Sequence, residues 1–304
     1  MNITSLLNAL PGAVAQGLIW GIMAVGVYIT YKVLDLADLT VDGTMATGGA
    51  VCVMLMLNGV NVWLALLCAI VSGMLAGLVT GVFHTAMGIP PILSGILTQL
   101  SLYSVNLAIM DFKANQGINV TKYPLIVSQR NVRALSLENP ILITLLFLAV
   151  LIGILYWFFG TELGSSLRST GANEAMSRAQ GINTNIAKIL GLMISNGIVA
   201  LSSALLAHYQ GFVDVNMGRG AIVIGLAAVI ISDVLFAKLF RNFALKLTGV
   251  AIGAVIYYIV IQVVLWLGLN TNLLKLLSAL IVAVFLAVPY WKARAGQGGG
   301  GHHA

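Results

Sequence analysis

Charge is what this sequence has least of. Only 8% of its 304 residues are Asp, Glu, Lys or Arg, against 60% hydrophobic residues and a mean hydropathy of +1.01. Soluble domains carry roughly a quarter charged residues, so a water-soluble globular fold is excluded. Short segments of alternating apolar and polar residues are lacking too, which excludes a membrane barrel. In lipid the backbone must satisfy its own hydrogen bonds, and what remains is a bundle of helices, each needing about 20 apolar residues to cross.

Other absences narrow the function. The 15 basic residues outnumber the nine acids, yet no basic run occurs, so the net charge of +6 orients the chain in a bilayer and does not point to nucleic acid. Cys52 and Cys68 both fall in apolar runs with no CxxC and no nearby His, and read as buried free thiols. No Walker loop, Gly-x-Ser-x-Gly, metal-spaced His and Glu or Rossmann glycine pattern is present. No enzyme site and no metal site follow, and without a phosphate-binding loop the energy for any work comes from a gradient or from another subunit. The start, MNITSLLNAL, lacks the basic region of a cleaved signal peptide, and the tail GQGGGGHHA reads as a linker and tag remnant, which removes His302 and His303 from consideration.

What is present is a series of apolar runs, at 12–32, 44–58, 61–84, 90–110, 140–160, 188–209, 220–236, 247–268 and 273–291. The fold expected is all-α, a polytopic bundle of about nine transmembrane helices, eight to ten by where the boundaries are drawn. The loop 237–246 carries Lys238, Arg241 and Lys246 while 268–272 carries no charge, so the first faces the cytoplasm. Alternation then puts Lys32, the segment 168–188, and Lys292 with Arg294 inside, giving an N-out, C-in chain. The long loop 111–138, with Lys113, Lys122, Arg130 and Arg133, is external in spite of its bases.

Small residues predict how the helices pack. Gly17 with Gly21, the triple Gly73, Gly77 and Gly81, and Gly249 with Gly253 recur every four residues, which flattens one helix face and lets backbones approach; the triple marks its helix as central. The linkers LDLADLTVDGTMATGGA and HYQGFVDVNMGRGAIVIGLAA each place an Asp, then Gly, then a helix rich in small residues. One lies inside and the other outside, the relation an inverted repeat produces.

Acids in such a chain need an explanation. Asp42 is placed to cap the helix that begins just after it, Asp38 lies four residues before it, and Asp214 reads as a similar cap near the outer face; a substrate or coupling role is the other reading for Asp38 and Asp42. Asp233 lies five residues from Lys238 and is expected to pair or be solvated at the inner boundary. Uncharged strips are also visible. Ser94, Thr98 and Ser101 share one helix face, and Ser195 with Ser202 and Asn196 with Ser203 repeat at seven. These read equally as pathway lining for a neutral or zwitterionic solute and as hydrogen bonds between packed helices. His84, His208 and most of the tryptophans (Trp20, Trp63, Trp157, Trp266, Trp291) read as interfacial residues.

The segment RSTGANEAMSRAQGINTNIAK, 168–188, is the one long polar, helix-competent stretch between apolar spans. A short helix over 172–179, with Gly171 and Gly181 as breaks on either side, is a knob suited to docking on a soluble partner.

That segment, with LADLTVDGTMATGGA and GRGAIVIGLAAVII, resembles the permease subunits of bacterial ABC importers in the branched-chain amino acid and ribose group, over residues 12–291. Within the group the wording is most similar to permeases for tryptophan or tyrosine uptake. The resemblance implies a type II importer fold in the cytoplasmic membrane. It implies four further partners: a second permease copy, two cytoplasmic ATPases that bind ATP and Mg, and an extracytoplasmic binding protein. The chain itself would carry no cofactor. Residues 1–295 would be the permease domain, with a coupling segment at 161–188 and an outer loop at 111–139, and 296–304 the tail. Carried onto this chain, the coupling helix would span 171–181, with Gly171, Asn173, Glu174, Ser177, Arg178 and Gly181 meeting the ATPase. By topology, Lys122, Arg130, Arg133 and Arg219 would face the binding protein, and the pathway would be lined from Asp38, Asp42, Ser94, Thr98, Ser101, Ser195, Asn196 and Ser202. Asp42 stands where branched-chain members often carry another polar residue, so their substrate does not transfer. An ion-driven secondary transporter and a non-transport scaffold are the rival readings.

Overall fold

The computed structural model describes residues 3–268, apart from 121, 134, 135, 137, 237, 238 and 241, and nine positions between 273 and 287. Helix α1 runs Ile3–Tyr28 and continues as a π turn over Ile29–Val33; α2 is Thr40–Leu57, α3 Val62–Thr85 and α4 Pro91–Ile109. After the outer loop come α5 (Pro140–Gly160), α6 (Glu162–Ala172), α7 (Glu174–Ala179), α8 (Thr184–Gln210), α9 (Ala221–Phe236) and α10 (Phe243–Trp266). Seven of these, counting α1 with its π turn, are long and apolar enough to cross a membrane, and α9 is a shorter apolar helix of 16 residues. The expected span at 273–291 lies largely outside the described residues, as do Lys238, Arg241, Trp291, Lys292 and Arg294.

Two short strands interrupt the helical pattern. Strand β1 (Asn115–Gly117), in the outer loop, pairs antiparallel with β2 (Phe212–Asp214), with Gln116 opposite Val213. Val213, Ile118 and Val127 are buried beneath the pair. The loop is thereby clamped to the end of α8 and is no free tether. Asp214 does not cap α9. Its carboxylate accepts from the backbone N–H of Asn216 at 2.7 Å and tightens the turn after β2.

The core is built on α1 and α8, which are buried along most of their lengths. They run antiparallel: Ser195 donates to the Gly26 carbonyl at 2.8 Å and Ser202 to the Ile19 carbonyl at 2.7 Å. The glycine stripes seat the neighbouring helices. Gly17 and Gly21 meet Val255 and Ala251 of α10, Gly249 and Gly253 meet Ser232 and Ala228 of α9, and Gly73, Gly77 and Gly81 meet Asn196, Leu192 and Ile189 of α8. With no Cβ on these faces, backbones touch and dispersion contacts accumulate where the hydrophobic effect gives no drive. Contrary to the sequence reading, α3 is not central. Its glycine face covers α8, while Leu64, Leu67, Val71 and Leu75 on the opposite face are exposed.

Helices α2 and α9, of 18 and 16 residues, are the shortest of the apolar helices. Thr44 lies against Asn196, Gly48 against Ala200 and Cys52 against His208, so α2 runs parallel to α8. Gly225 packs on Met23 and Val27, and Asp233 pairs with Lys32, so α9 runs parallel to α1. Because α1 and α8 are antiparallel, α2 and α9 point in opposite directions. Both start beside the middle of α8: Asn196, which binds the entrance to α2, is the thirteenth of that helix's 27 residues. These two short helices thus leave a shared mid-bundle point in opposite senses, where the sequence reading places their linkers on opposite sides of the membrane.

Candidate functional site

Where α2 and α9 begin, their free N–H groups would be stranded away from water, and each such group is costly unless paired. Two aspartates meet that need, but not the pair the sequence suggested, which was Asp42 for α2 and Asp214 for α9. Asp38, not Asp42, caps α2: its Oδ1 accepts from the Thr40 N–H at 2.9 Å. Asp42, in the first turn of α2, caps the other helix. Its Oδ2 accepts from the Gly220 N–H and its Oδ1 from the Ile222 N–H, both at 2.9 Å. Gly218 packs its backbone directly on the Asp42 carbonyl, so the segment ahead of α9 is pinned to α2 as well.

Asp38 is the hub of a buried polar network. Asn196 Nδ2 donates to Asp38 Oδ2 at 2.7 Å, and Asn196 Oδ1 accepts from the Thr44 hydroxyl at 2.7 Å. The Thr40 and Thr80 hydroxyls lie 2.7 Å apart, and Thr80 donates to Thr98 at 2.8 Å. Four helices, α2, α3, α4 and α8, are thus tied by side chains that are each at most 3% exposed. Such a network fixes one packing, since any member left alone is an unsatisfied buried group.

The polar strips divide. Ser94 and Thr98 are buried, with Ser94 bonding back to the Pro90 and Pro91 carbonyls. Ser101 does not share their buried face: it is exposed and bonds to the Leu97 carbonyl of its own helix. Ser195, Asn196, Ser202 and Ser203 are all buried between helices, Ser203 bonding the Met45 carbonyl of α2. Their hydrogen bonds therefore run between packed helices. His208 and Trp20 are not interfacial. His208 is fully buried with Nε2 3.3 Å from Cys52 Sγ, and Trp20 is stacked obliquely on Tyr258 in the core. Trp63 and Trp157 are exposed near helix ends, where an indole suits the headgroup region.

At the end of the bundle where α1 finishes, the polar segment forms a compact knob. The chain breaks at Asn173, whose side chain caps α7 by accepting from the Met176 N–H at 3.0 Å. Gly171 is not a hinge. It lies inside α6 with its backbone against Val33 and Leu34, where a Cβ would collide with the Val33 carbonyl. Gly181, at φ +84°, does make the turn out of α7. Glu174 is held by three partners: Arg178 at 2.6 Å, Lys188 at 2.8 Å and the Thr184 hydroxyl at 3.3 Å. Its carboxyl is held below the ordinary range, chiefly by the hydrogen bond from Lys188 and then by the Lys188 and Arg178 charges, which outweigh partial burial. Ser177 is buried and bonds the Asn173 carbonyl. These polar residues build the knob. The outward face of α7 carries Met176, 59% exposed, beside the exposed Arg178; sequence reasoning passed over Met176, which a large apolar residue on a polar helix signals.

Asp233 pairs with Lys32 at 2.7 Å, joining the ends of α9 and α1, where the sequence suggested Lys238. On the opposite end, Arg133 donates to the Asn8 carbonyl at 3.1 Å, and Arg130 and Lys122 are exposed, with the Lys122 ammonium over the Tyr123 ring. Arg219 is exposed and immediately precedes Gly220, in the segment that returns to the start of α9.

Comparison with known proteins accords with this architecture. The chain is 40% identical over 281 residues to the tyrosine transport system permease protein of Clostridioides difficile (strain R20291), covering 92% of this chain and 91% of that one. It is 24% identical over 285 residues to the ribose import permease protein RbsC of Escherichia coli (strain K12), covering 93% and 85%. Among solved structures, PsaBC from Streptococcus pneumoniae in complex with Fab shares the fold, with a TM-score of 0.53 at 17% identity over 94% of this chain and 95% of that one. Residues 10–288 match the family described as branched-chain amino acid transport system / permease component, and the chain belongs to that family of ABC importer permeases.

Proposed function

We propose that this chain forms the translocation pathway of an ATP-driven importer for an aromatic amino acid in the bacterial cytoplasmic membrane, with its N-terminus outside and its C-terminus inside. The observation that carries the substrate class is the 40% identity, along nearly the whole chain, to a tyrosine transport permease. Two copies of the chain pair around the pathway, and two ATPases that hold the ATP and Mg dock on the knob at α6 and α7. A binding protein delivers substrate to the rim carrying Lys122, Arg130 and Arg133. Glu174, Asn173 and Ser177 act by holding the knob rigid, while Met176 and Arg178 supply its outward face, so that ATPase closure moves α6 and, through Gly171, the end of α1. The carboxylates an ion-driven carrier would titrate, Asp38 and Asp42, are each occupied by hydrogen bonds that terminate helices.

The test is uptake of radiolabelled tyrosine, tryptophan and ribose by cells producing this chain with the ATPase and binding protein encoded alongside it. Tyrosine or tryptophan uptake that disappears when the ATPase is inactivated, and that Met176→Asp abolishes together with ATPase co-purification, is the expected result. Uptake that survives loss of the ATPase but collapses with an ionophore overturns it.

A further inference from the structure

Two cavities open along the same side of the bundle and share Ala13, Gln16 and Gln262 in their walls, so they form one trough. The outer part, about 480 Å³, lies between the start of α1 and the outer loop and is flanked by Arg130 and Arg133. The inner part, about 460 Å³, lies between α1, α9 and α10 and reaches Arg219 and Gly220. Because the Gly220 N–H is bound by Asp42 at the entrance to α2, the trough descends from the rim to the point where α2 and α9 begin. Among the described residues no Asp or Glu lines either part, and the charged residues in its walls are arginines.

The inner chamber changes character. Trp20 and Tyr258 pack against each other in its wall, with ring centroids 5.8 Å apart and planes tilted. The Trp20 indole N–H is buried and has no hydrogen-bond partner among the described residues. Gln16 and Gln262 carry amide groups at the neck between the two parts. We infer that this chamber is a substrate station for an aromatic amino acid. Arg219 takes the carboxylate in a two-pronged ion pair, the Trp20 and Tyr258 rings receive the side chain, and the amide oxygens of Gln16 and Gln262 accept from the ammonium. Its volume falls in the range of small-molecule sites, and its chemistry, apolar walls with a few convergent polar groups, is that of such a site. The arginines of the outer part attract the anionic end of the solute inward. Arg219, assigned from the sequence to the binding-protein face, thus becomes the residue that holds the solute. Its backbone is fixed by the Asp42 cap one residue later, so the station and the junction of α2 with α9 move together.

This inference rests on the aromatic amino acid reading above, and the experiment separates the two. In the complete transporter, wild type, Arg219→Gln and Arg219→Lys are compared for tyrosine uptake, with ATPase co-purification as the control for assembly. Separately, Ile224→Cys, a chamber wall position, is introduced with Cys68→Ser, and its alkylation by a maleimide is timed with and without tyrosine or ribose. Expected are a loss of uptake efficiency of at least about tenfold in Arg219→Gln with the ATPase still bound, partial recovery in Arg219→Lys, and slowing of alkylation by tyrosine but not ribose. Tyrosine uptake by wild type with full activity in Arg219→Gln and unprotected alkylation overturns the station and leaves the transport reading standing. Absence of aromatic amino acid uptake by wild type overturns both.

Discussion

Asp42 Oδ1 accepts the backbone N–H of Ile222 at 2.9 Å, so a residue in the first turn of one helix caps another that begins about 180 residues later. A carboxylate that caps across the chain serves two purposes. It satisfies donors that lipid would leave bare, and it locks two helices of opposite direction to one point. Asp42→Ala removes both acceptors and is expected to destabilise the chain by about 1–3 kcal/mol. Asp42→Asn keeps one strong acceptor and should fall between. Thermal unfolding of the purified chain in detergent orders the three proteins, and an alanine variant melting with wild type would refute the cap.

The threonine relay makes a prediction of coupling. Thr80 touches both Thr40 and Thr98, so Thr80→Val breaks the relay at its centre and Thr98→Val at its end. Each loss is expected to be of the order of 1–2 kcal/mol. The double variant should lose less than the sum, because the Thr80 and Thr98 hydroxyls share one bond. Additive melting shifts would mean that the two hydroxyls are satisfied independently.

Much of this was legible from local pattern. Apolar runs marked the helices, and four-residue glycine spacing marked faces that do pack backbone to backbone. Direction of pairing was harder to read. Asp38 and Asp42 sit four residues apart on one helix entrance, and nothing in that spacing says that the second serves α9. Ser94, Thr98 and Ser101 share a helical face by periodicity, yet α4 buries only the first two, because burial depends on which neighbour covers each turn. Helix α9 reads as a span from composition, while its 16 residues, about 24 Å, fall short of a bilayer core of roughly 30 Å. The strand pair joining Gln116 to Val213 has no alternating pattern long enough to register.

The glycine stripe on α3 separates two kinds of glycine. A Cβ at Gly77 would collide with the Leu192 carbonyl, whereas one at Gly153 on α5 meets nothing within 4 Å. Gly77→Ala is therefore expected to destabilise by about 1–3 kcal/mol or prevent assembly of α3 on α8, while Gly153→Ala leaves folding intact. Expression level and monodispersity on size exclusion compare them directly. Equal behaviour of the two variants would contradict the close approach of α3 and α8.

The knob provides a pH test whose sign follows from its ion pairs. Glu174 has its carboxyl depressed in the folded chain by Lys188 first and Arg178 next. A group depressed in this way contributes stability at pH values above its unfolded-state value, and that contribution is lost as pH falls through the folded-state value. Protection of the α7 amides in hydrogen exchange should thus be steady from neutral pH to about pH 5, near the upper side of the ordinary carboxylate range, and decline below it. Glu174→Gln should show weaker protection throughout and no such decline. The same pairs explain why reversing Glu174 and Arg178 together is a poor probe of docking. The swap would place two cations, the new arginine and Lys188, where one carboxylate now joins them, so loss of a partner would report a disordered knob. Met176→Asp leaves Glu174, Arg178, Thr184 and Lys188 in place and changes only the exposed face. Loss of ATPase binding in that variant, with α7 protection unchanged, assigns the contact to the knob's surface; retention of binding moves the contact elsewhere.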